Sequence, residues 1–144
     1  MTYGLGAASS FAQGAKLNIL VVDDDSDDVY FLRALLAEVG VGSAHIVHVE
    51  HVEDLNAVLK RRQEEPFDIV LLDFFLPGSQ GTESLHHLRK YAPDLPVVFM
   101  TGLNDENLGQ QMIKAGAQGY IVKGQLEGKA LLCTLREVIS RYRQ

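Results

Sequence analysis

Short apolar runs alternate with amphipathic segments from Asn18 onward. The runs are rich in Val and Ile and are mostly continuous rather than alternating with polar residues; they cover 18–23, 45–49, 67–73, 95–101 and 119–123. Such continuous runs are typical of strands buried on both faces of a parallel sheet. The run at 45–49 is more polar, which indicates an edge strand. The pattern therefore predicts five parallel strands.

After each predicted strand, apolar residues recur at helical spacing. The predicted helices cover 27–39, 53–65, 82–91, 105–115 and 126–142. In the fourth of them, for example, Leu108, Met112 and Ile113 form the apolar stripe. A stripe of this kind turns one face of a helix toward the core.

Five strand–helix pairs with short connections predict an α/β fold with right-handed crossovers. We expect a (βα)5 doubly wound, flavodoxin-like parallel sheet with strand order 2-1-3-4-5. The domain is expected to span 17–144, and the segment 1–16, with its Gly, Ala and Ser, is predicted to be a flexible tail. Ligands bind such sheets at the carboxyl ends of the strands. Functional residues should therefore follow the strands directly.

Composition and charge narrow the classes of partner. The 144 residues are 47% hydrophobic and 22% charged, which fits one globular domain. A formal net charge of −6 argues against direct binding to nucleic acid or to an anionic membrane surface. No apolar run is long enough to span a bilayer. Cys133 is the single cysteine and cannot form an internal disulfide, so we expect a cytoplasmic protein.

Acidic, hydroxyl and amine side chains follow the predicted strands. Asp23 and Asp24 end the first strand, Asp73 the third, Thr101 the fourth and Lys123 the fifth. These strands are neighbours in the predicted order, so their ends converge on one cleft. Three carboxylates in one cleft suit Mg²⁺. We expect Asp24 and Asp73 to coordinate the ion directly and Asp23 to do so through water.

A carboxylate in such a cleft can also act as a nucleophile, because aspartates form aspartyl phosphates. We expect Asp73 to be the nucleophile, since it stands alone at the end of the central strand. Lys123, Thr101 and Mg²⁺ would then neutralise and hydrogen-bond the phosphoryl oxygens.

The chain resembles the receiver domain of two-component response regulators over residues 18–143. The matching stretches are ILVVDD, IVLLDFFLPGSQG, VVFMTG and AGAQGYIVK. The resemblance implies a switch rather than a turnover enzyme, phosphorylated by a sensor histidine kinase or a histidine phosphotransfer protein. The chain ends after the last predicted helix, so we expect a stand-alone receiver. The alternative is a receiver segment of a longer protein with an output domain.

The resemblance also implies roles for individual residues. Asp24, Asp73 and the backbone carbonyl of Phe75 would hold Mg²⁺, and Asp73 would accept the phosphoryl group. Thr101, in the switch segment with Gly102, and Lys123 would bind the phosphoryl oxygens. Tyr120 would rotate inward behind Thr101. The surface formed by the fourth helix, fifth strand and fifth helix would then change shape and bind an unidentified protein partner. A homodimer could form through the exposed face of the last helices.

Two features depart from common receiver sequences. Gly124 follows the lysine where many receivers have a proline in a cis peptide, and glycine lacks most of the bias toward cis. Phe75 and Leu103 stand two residues beyond Asp73 and Thr101. Their apolar side chains are expected to shield the acyl phosphate from water and to slow its hydrolysis.

A Mg²⁺-dependent phosphatase of the haloacid dehalogenase type is the alternative function, since it also uses an aspartyl phosphate. Its motif is D-x-D-x-[TV], but Asp27 stands at the last position and no acidic pair ends a later strand. A calcium-binding loop from Asp23 would need glycine where Asp28 stands. Of the remaining acids, Asp27 is expected to cap the first helix, and Asp25 and Asp28 to be solvated.

Overall fold

The computed structural model describes residues 17–40, 44–61, 66–78 and 81–142, so the predicted tail 1–16 lies outside the described residues. The strands are β1 (Leu17–Val22), β2 (Ala44–Val49), β3 (Ile69–Asp73), β4 (Val97–Thr101) and β5 (Gly119–Val122). The helices are α1 (Ser26–Glu38), α2 (Leu55–Arg61), α3 (Glu83–Tyr91), α4 (Glu106–Lys114) and α5 (Gly128–Tyr142). A 3₁₀ turn, Val52–Asp54, leads into α2.

The five strands form one parallel sheet in the order β2-β1-β3-β4-β5, which confirms the predicted fold. Alternate residues along each strand face opposite sides of the sheet. One side packs on α1 and α5, with Leu32 and Leu135 among the buried residues. The other packs on α2, α3 and α4, with Leu55, Leu88 and Met112 buried. Helices therefore cover both faces, as the continuous apolar strands predicted. None of the described helices is long and apolar enough to cross a membrane.

Two local expectations were wrong. Ile113 is 46% exposed, because the covered side of α4 is the side of Gly109 and Met112. The cap of α1 is Asp25 rather than Asp27: the Asp25 carboxylate accepts a hydrogen bond from the Asp27 N–H at 2.9 Å. Asp27 instead lies within the first turn of the helix, where its charge favours the positive end of the helix dipole.

Arg89 connects the two loops that precede β4 and β5. Its guanidinium donates to the carbonyl oxygen of Leu95, before β4, and to that of Gly116, before β5. It also donates to Gln118 Oε1 at 3.1 Å, and the same oxygen accepts from the Val97 N–H at 2.7 Å. The edge of the sheet opposite the strand-end acids is therefore cross-linked by one side chain.

Candidate functional site

Three carboxylates meet at the carboxyl edge of the sheet, where the strand ends predicted them. Asp23 follows β1, Asp24 comes next, and Asp73 ends β3. Each offers an oxygen atom, and these three atoms lie within 4.8 Å of one another. Asp23 is fully buried and Asp73 is 5% exposed, whereas Asp24 faces solvent. Two of the three carboxylates are thus largely removed from water.

Hydrogen bonds fix Asp23 on both its side chain and its backbone. Its Oδ1 atom accepts from the Asp25 N–H at 2.9 Å, and its N–H donates to the Val49 carbonyl at 3.0 Å. His48 Nε2 lies 2.6 Å from the Asp23 carbonyl oxygen, so this nitrogen carries a proton and donates it. Nothing in the β2 pattern distinguishes a histidine that contacts the neighbouring strand end, so this role of His48 could not be predicted from the sequence.

The electrostatics of the cluster favour a bound cation. Burial raises the pKa of Asp23 to about 6, and the negative charge of Asp73 adds to the rise, although the Asp25 N–H and Lys123 oppose it. Crowded carboxylates with little water are costly unless positive charge offsets them. Carboxylate oxygens are also the ligands that Mg²⁺ prefers. The donor set of Asp23, Asp24 and Asp73 therefore fits a magnesium ion.

Lys123 supplies a positive charge at the same edge. Its Nζ atom lies 2.7 Å from Asp28 Oδ2, 2.9 Å from Asp23 Oδ2 and 3.3 Å from Asp73 Oδ2. Burial lowers the pKa of Lys123, but the hydrogen bonds to Asp28 and Asp23 and the charge of Asp73 outweigh it, so the pKa is above its ordinary value. The ammonium is therefore charged and directed at the carboxylate cluster.

Asp28 was expected to be solvated, and the structure shows that this was wrong. It lies in the first turn of α1 and is paired with Lys123. A signal for this contact is present in the sequence. The helix that follows β1 begins at the edge where β1 ends, so its first turn lies near the same cleft, but the orientation of the helix decides which acid reaches Lys123.

Thr101 joins the site through the backbone of β4. It is 1% exposed, and its carbonyl accepts from the Lys123 N–H at 2.7 Å, which places the two residues side by side. Its Oγ1 atom accepts from the Leu103 N–H at 3.1 Å, and the hydroxyl keeps its own hydrogen to donate. Gly102, between them, is exposed and begins the connection to α4.

Phe75 and Leu103 lie at the rim of the cleft. Their side chains are 51% and 53% exposed. The Phe75 N–H donates to Asp73 Oδ1 at 3.1 Å, just as the Leu103 N–H binds Thr101. Gly124, which follows Lys123, has φ +85°, a left-handed conformation that glycine adopts without strain.

Tyr120 lies on the outer face of α4 and β5 rather than in the cleft. Its side chain is 36% exposed, and its ring covers Gly109 of α4. A Cβ atom at Gly109 would lie 2.3 Å from Tyr120 Cζ. The ring therefore occupies space that any other residue at position 109 would fill. The structure thus places Tyr120 against α4, outside the carboxylate cluster.

The chain matches the family profile described as the response regulator receiver domain over residues 19–134. It is 31% identical to the transcriptional regulatory protein ZraR of Klebsiella oxytoca over 130 residues, which are 90% of this chain and 28% of ZraR. A response regulator receiver protein from Burkholderia phymatum has 29% identity and a TM-score of 0.68, with 85% of this chain and 94% of that chain covered. The beryllofluoride-activated NtrC4 receiver domain dimer has 25% identity and a TM-score of 0.69, covering 87% and 98%. The chain thus spans less than a third of ZraR and nearly all of these two structures.

Proposed function

The chain belongs to the response regulator receiver domains, and from this premise we propose that it accepts a phosphoryl group on Asp73. The donor is the phosphohistidine of a sensor histidine kinase or of a histidine phosphotransfer protein, and the cofactor is Mg²⁺. The observation that carries the proposal is the ammonium of Lys123, which lies 3.3 Å from Asp73 and 2.9 Å from Asp23 inside the carboxylate cluster.

Asp73 is the nucleophile in the proposed reaction. One of its carboxylate oxygens attacks the phosphorus atom, a P–O bond forms, and the P–N bond to the donor imidazole breaks. The imidazole nitrogen keeps the electron pair of that bond and takes up a proton. The Phe75 N–H holds Asp73 Oδ1 at 3.1 Å, so Asp73 Oδ2, beside Lys123, is the oxygen left to react.

The phosphoryl oxygens carry negative charge that the site has to neutralise. Asp23, Asp24, Asp73 and the backbone carbonyl of Phe75 would hold Mg²⁺, which supplies charge neutralisation when bound. Lys123 donates N–H groups to a phosphoryl oxygen, and the Thr101 hydroxyl donates its hydrogen to another. Gly102 and Leu103 lie in the connection that brings Thr101 toward the phosphoryl group.

Phosphorylation then acts as a switch rather than as a step in substrate turnover. When Thr101 moves toward the phosphoryl group, Tyr120 leaves its place on α4 and turns inward. The face formed by α4, β5 and α5 changes shape for a downstream protein. The NtrC4 receiver, a similar structure, is a dimer in its activated form, which supports a homodimer as one outcome. A cytoplasmic location, where a kinase and a relay protein would meet this chain, is part of the same proposal.

Intact-mass spectrometry tests the acceptor. Wild type and Asp73→Asn are incubated with Mg²⁺ and acetyl phosphate, and a second wild-type sample also contains EDTA. We expect the mass of one phosphoryl group to appear in wild type alone and to be absent with EDTA. An unmodified wild type would contradict the proposal. Steady release of phosphate over many turnovers would instead indicate the haloacid dehalogenase alternative.

A further inference from the structure

Asp28 contacts Lys123 more closely than either strand-end aspartate does. Lys123 Nζ is 2.7 Å from Asp28 Oδ2, against 2.9 Å for Asp23 and 3.3 Å for Asp73. Asp28 belongs to α1, whereas the other two stand at the ends of β1 and β3. The ammonium is therefore held from a helix as well as from the sheet.

Asp28 also lies outside the group of carboxylates that fits a metal ion. Within the described part of the chain, that group consists of Asp23, Asp24 and Asp73. A divalent ion bound to these carboxylates neutralises their negative charge, and its positive charge repels the Lys123 ammonium. Of the three carboxylates that now pair with Lys123, only Asp28 is then independent of the ion.

The geometry of an ammonium group lets this pair persist during phosphoryl binding. A lysine ammonium has three N–H donors and no acceptor. One donor remains on Asp28, which leaves two for Asp23 and for a phosphoryl oxygen on Asp73. The pair with Asp28 is 23% exposed on the lysine side and 31% on the aspartate side, so water screens it only in part.

We infer that Asp28 is a positioning residue that keeps the Lys123 ammonium at the phosphoryl site when Mg²⁺ is bound. The inference rests on the proposed function. Asp28 acts through Lys123 and contacts neither the metal group nor the phosphoryl group. Its neighbour Asp27 has the same charge and lies in the same helical turn, yet it is not among the carboxylates within 4.0 Å of Lys123 Nζ. Asp27 is therefore the matched control.

The test compares wild type, Asp28→Asn and Asp27→Asn under identical Mg²⁺ concentrations. The initial rate of phosphorylation by acetyl phosphate is followed by intact mass, and the affinity for beryllofluoride is measured by titration. Loss of a partly exposed charged hydrogen bond is expected to lower both quantities by about threefold to tenfold in Asp28→Asn. In Asp27→Asn, both should stay within about twofold of wild type, as for a substitution at a solvated site.

A double-mutant cycle separates positioning from a general structural effect. In a Lys123→Met background, Asp28→Asn should change beryllofluoride affinity no further, because the residue through which Asp28 acts is gone. An equal loss in both backgrounds would overturn the inference, as would equal values for Asp28→Asn and Asp27→Asn. A wild type that takes up neither phosphoryl group nor beryllofluoride would overturn the proposed function together with the inference. The two failures are therefore distinguishable.

Discussion

Gly109→Ala should dislodge the Tyr120 ring from α4. The added Cβ atom would lie 2.3 Å from Cζ, 2.5 Å from Cε1 and 2.7 Å from the hydroxyl oxygen of Tyr120. These distances are far inside van der Waals contact, and every atom involved is at the free end of a side chain. The ring therefore swings away while the helix stays in place.

Two opposing effects determine how Gly109→Ala changes the free energy of unfolding. Alanine stabilises a helix interior by about 0.5–1 kcal/mol relative to glycine. Exposing much of a ring that is now only 36% exposed costs roughly 1–2 kcal/mol. The free energy of unfolding of Gly109→Ala should thus fall by no more than about 1.5 kcal/mol, which is small beside a typical core substitution.

Urea denaturation of Gly109→Ala, in the wild-type and Tyr120→Ala backgrounds, isolates the contact between residue 109 and the Tyr120 ring. With Tyr120→Ala in place, Gly109→Ala should raise the free energy of unfolding by about 0.5–1 kcal/mol, because only helix propensity remains. The difference between the two backgrounds, about 1–2 kcal/mol, measures the displaced ring.

Fluorine NMR with 3-fluorotyrosine reports the ring itself. The chain has five tyrosines, so a Tyr120→Phe sample assigns the signal. In Gly109→Ala, the chemical shift of that signal should change. Affinity for beryllofluoride should rise, because the Tyr120 ring can no longer occupy its position on α4. Equal stability changes in both backgrounds with an unmoved fluorine signal would refute the reasoning.

Three further changes probe other contacts. Gly128→Ala should destabilise the fold by about 1–3 kcal/mol in urea unfolding, since its Cβ would lie 2.8 Å from the Leu35 carbonyl oxygen; an unchanged midpoint would contradict this. Arg89→Met should cost about 2 kcal/mol because several carbonyl contacts are lost, whereas Lys90→Met on the same helix should cost little, and equal costs would count against the cross-link. Phe75→Asn should hydrolyse its aspartyl phosphate faster than wild type, measured as loss of the phosphorylated mass with time, and equal rates would remove the shielding role.

The sheet and the residues at its carboxyl edge were predictable because they depend on short-range patterns of apolar residues. Continuous apolar runs identify the strands, and parallel topology brings the strand ends to one edge. Asp23, Asp73 and Lys123 could thus be grouped without knowing any distance between them. Their shared position at strand ends was sufficient.

Contacts between separate elements were not predictable in the same way. The pair of Asp28 and Lys123 depends on how α1 is oriented relative to β5, and the place of Tyr120 depends on a glycine in a neighbouring helix. Ile113 has the spacing of a core residue, but a hydrophobic stripe does not specify which of its edges the sheet covers. Packing angles decided each of these cases.

The pair of Asp28 and Lys123 also has a consequence for biosynthesis. Its partners are 95 residues apart in the chain, and the chain is synthesised from its amino terminus. Asp23, Asp24, Asp28 and Asp73 are therefore synthesised before β5. A nascent or truncated chain carries the aspartates without the ammonium, and β5 joins the sheet at its edge. Under the proposed function, a chain that has not yet formed β5 would therefore lack the ammonium that binds the phosphoryl group on Asp73.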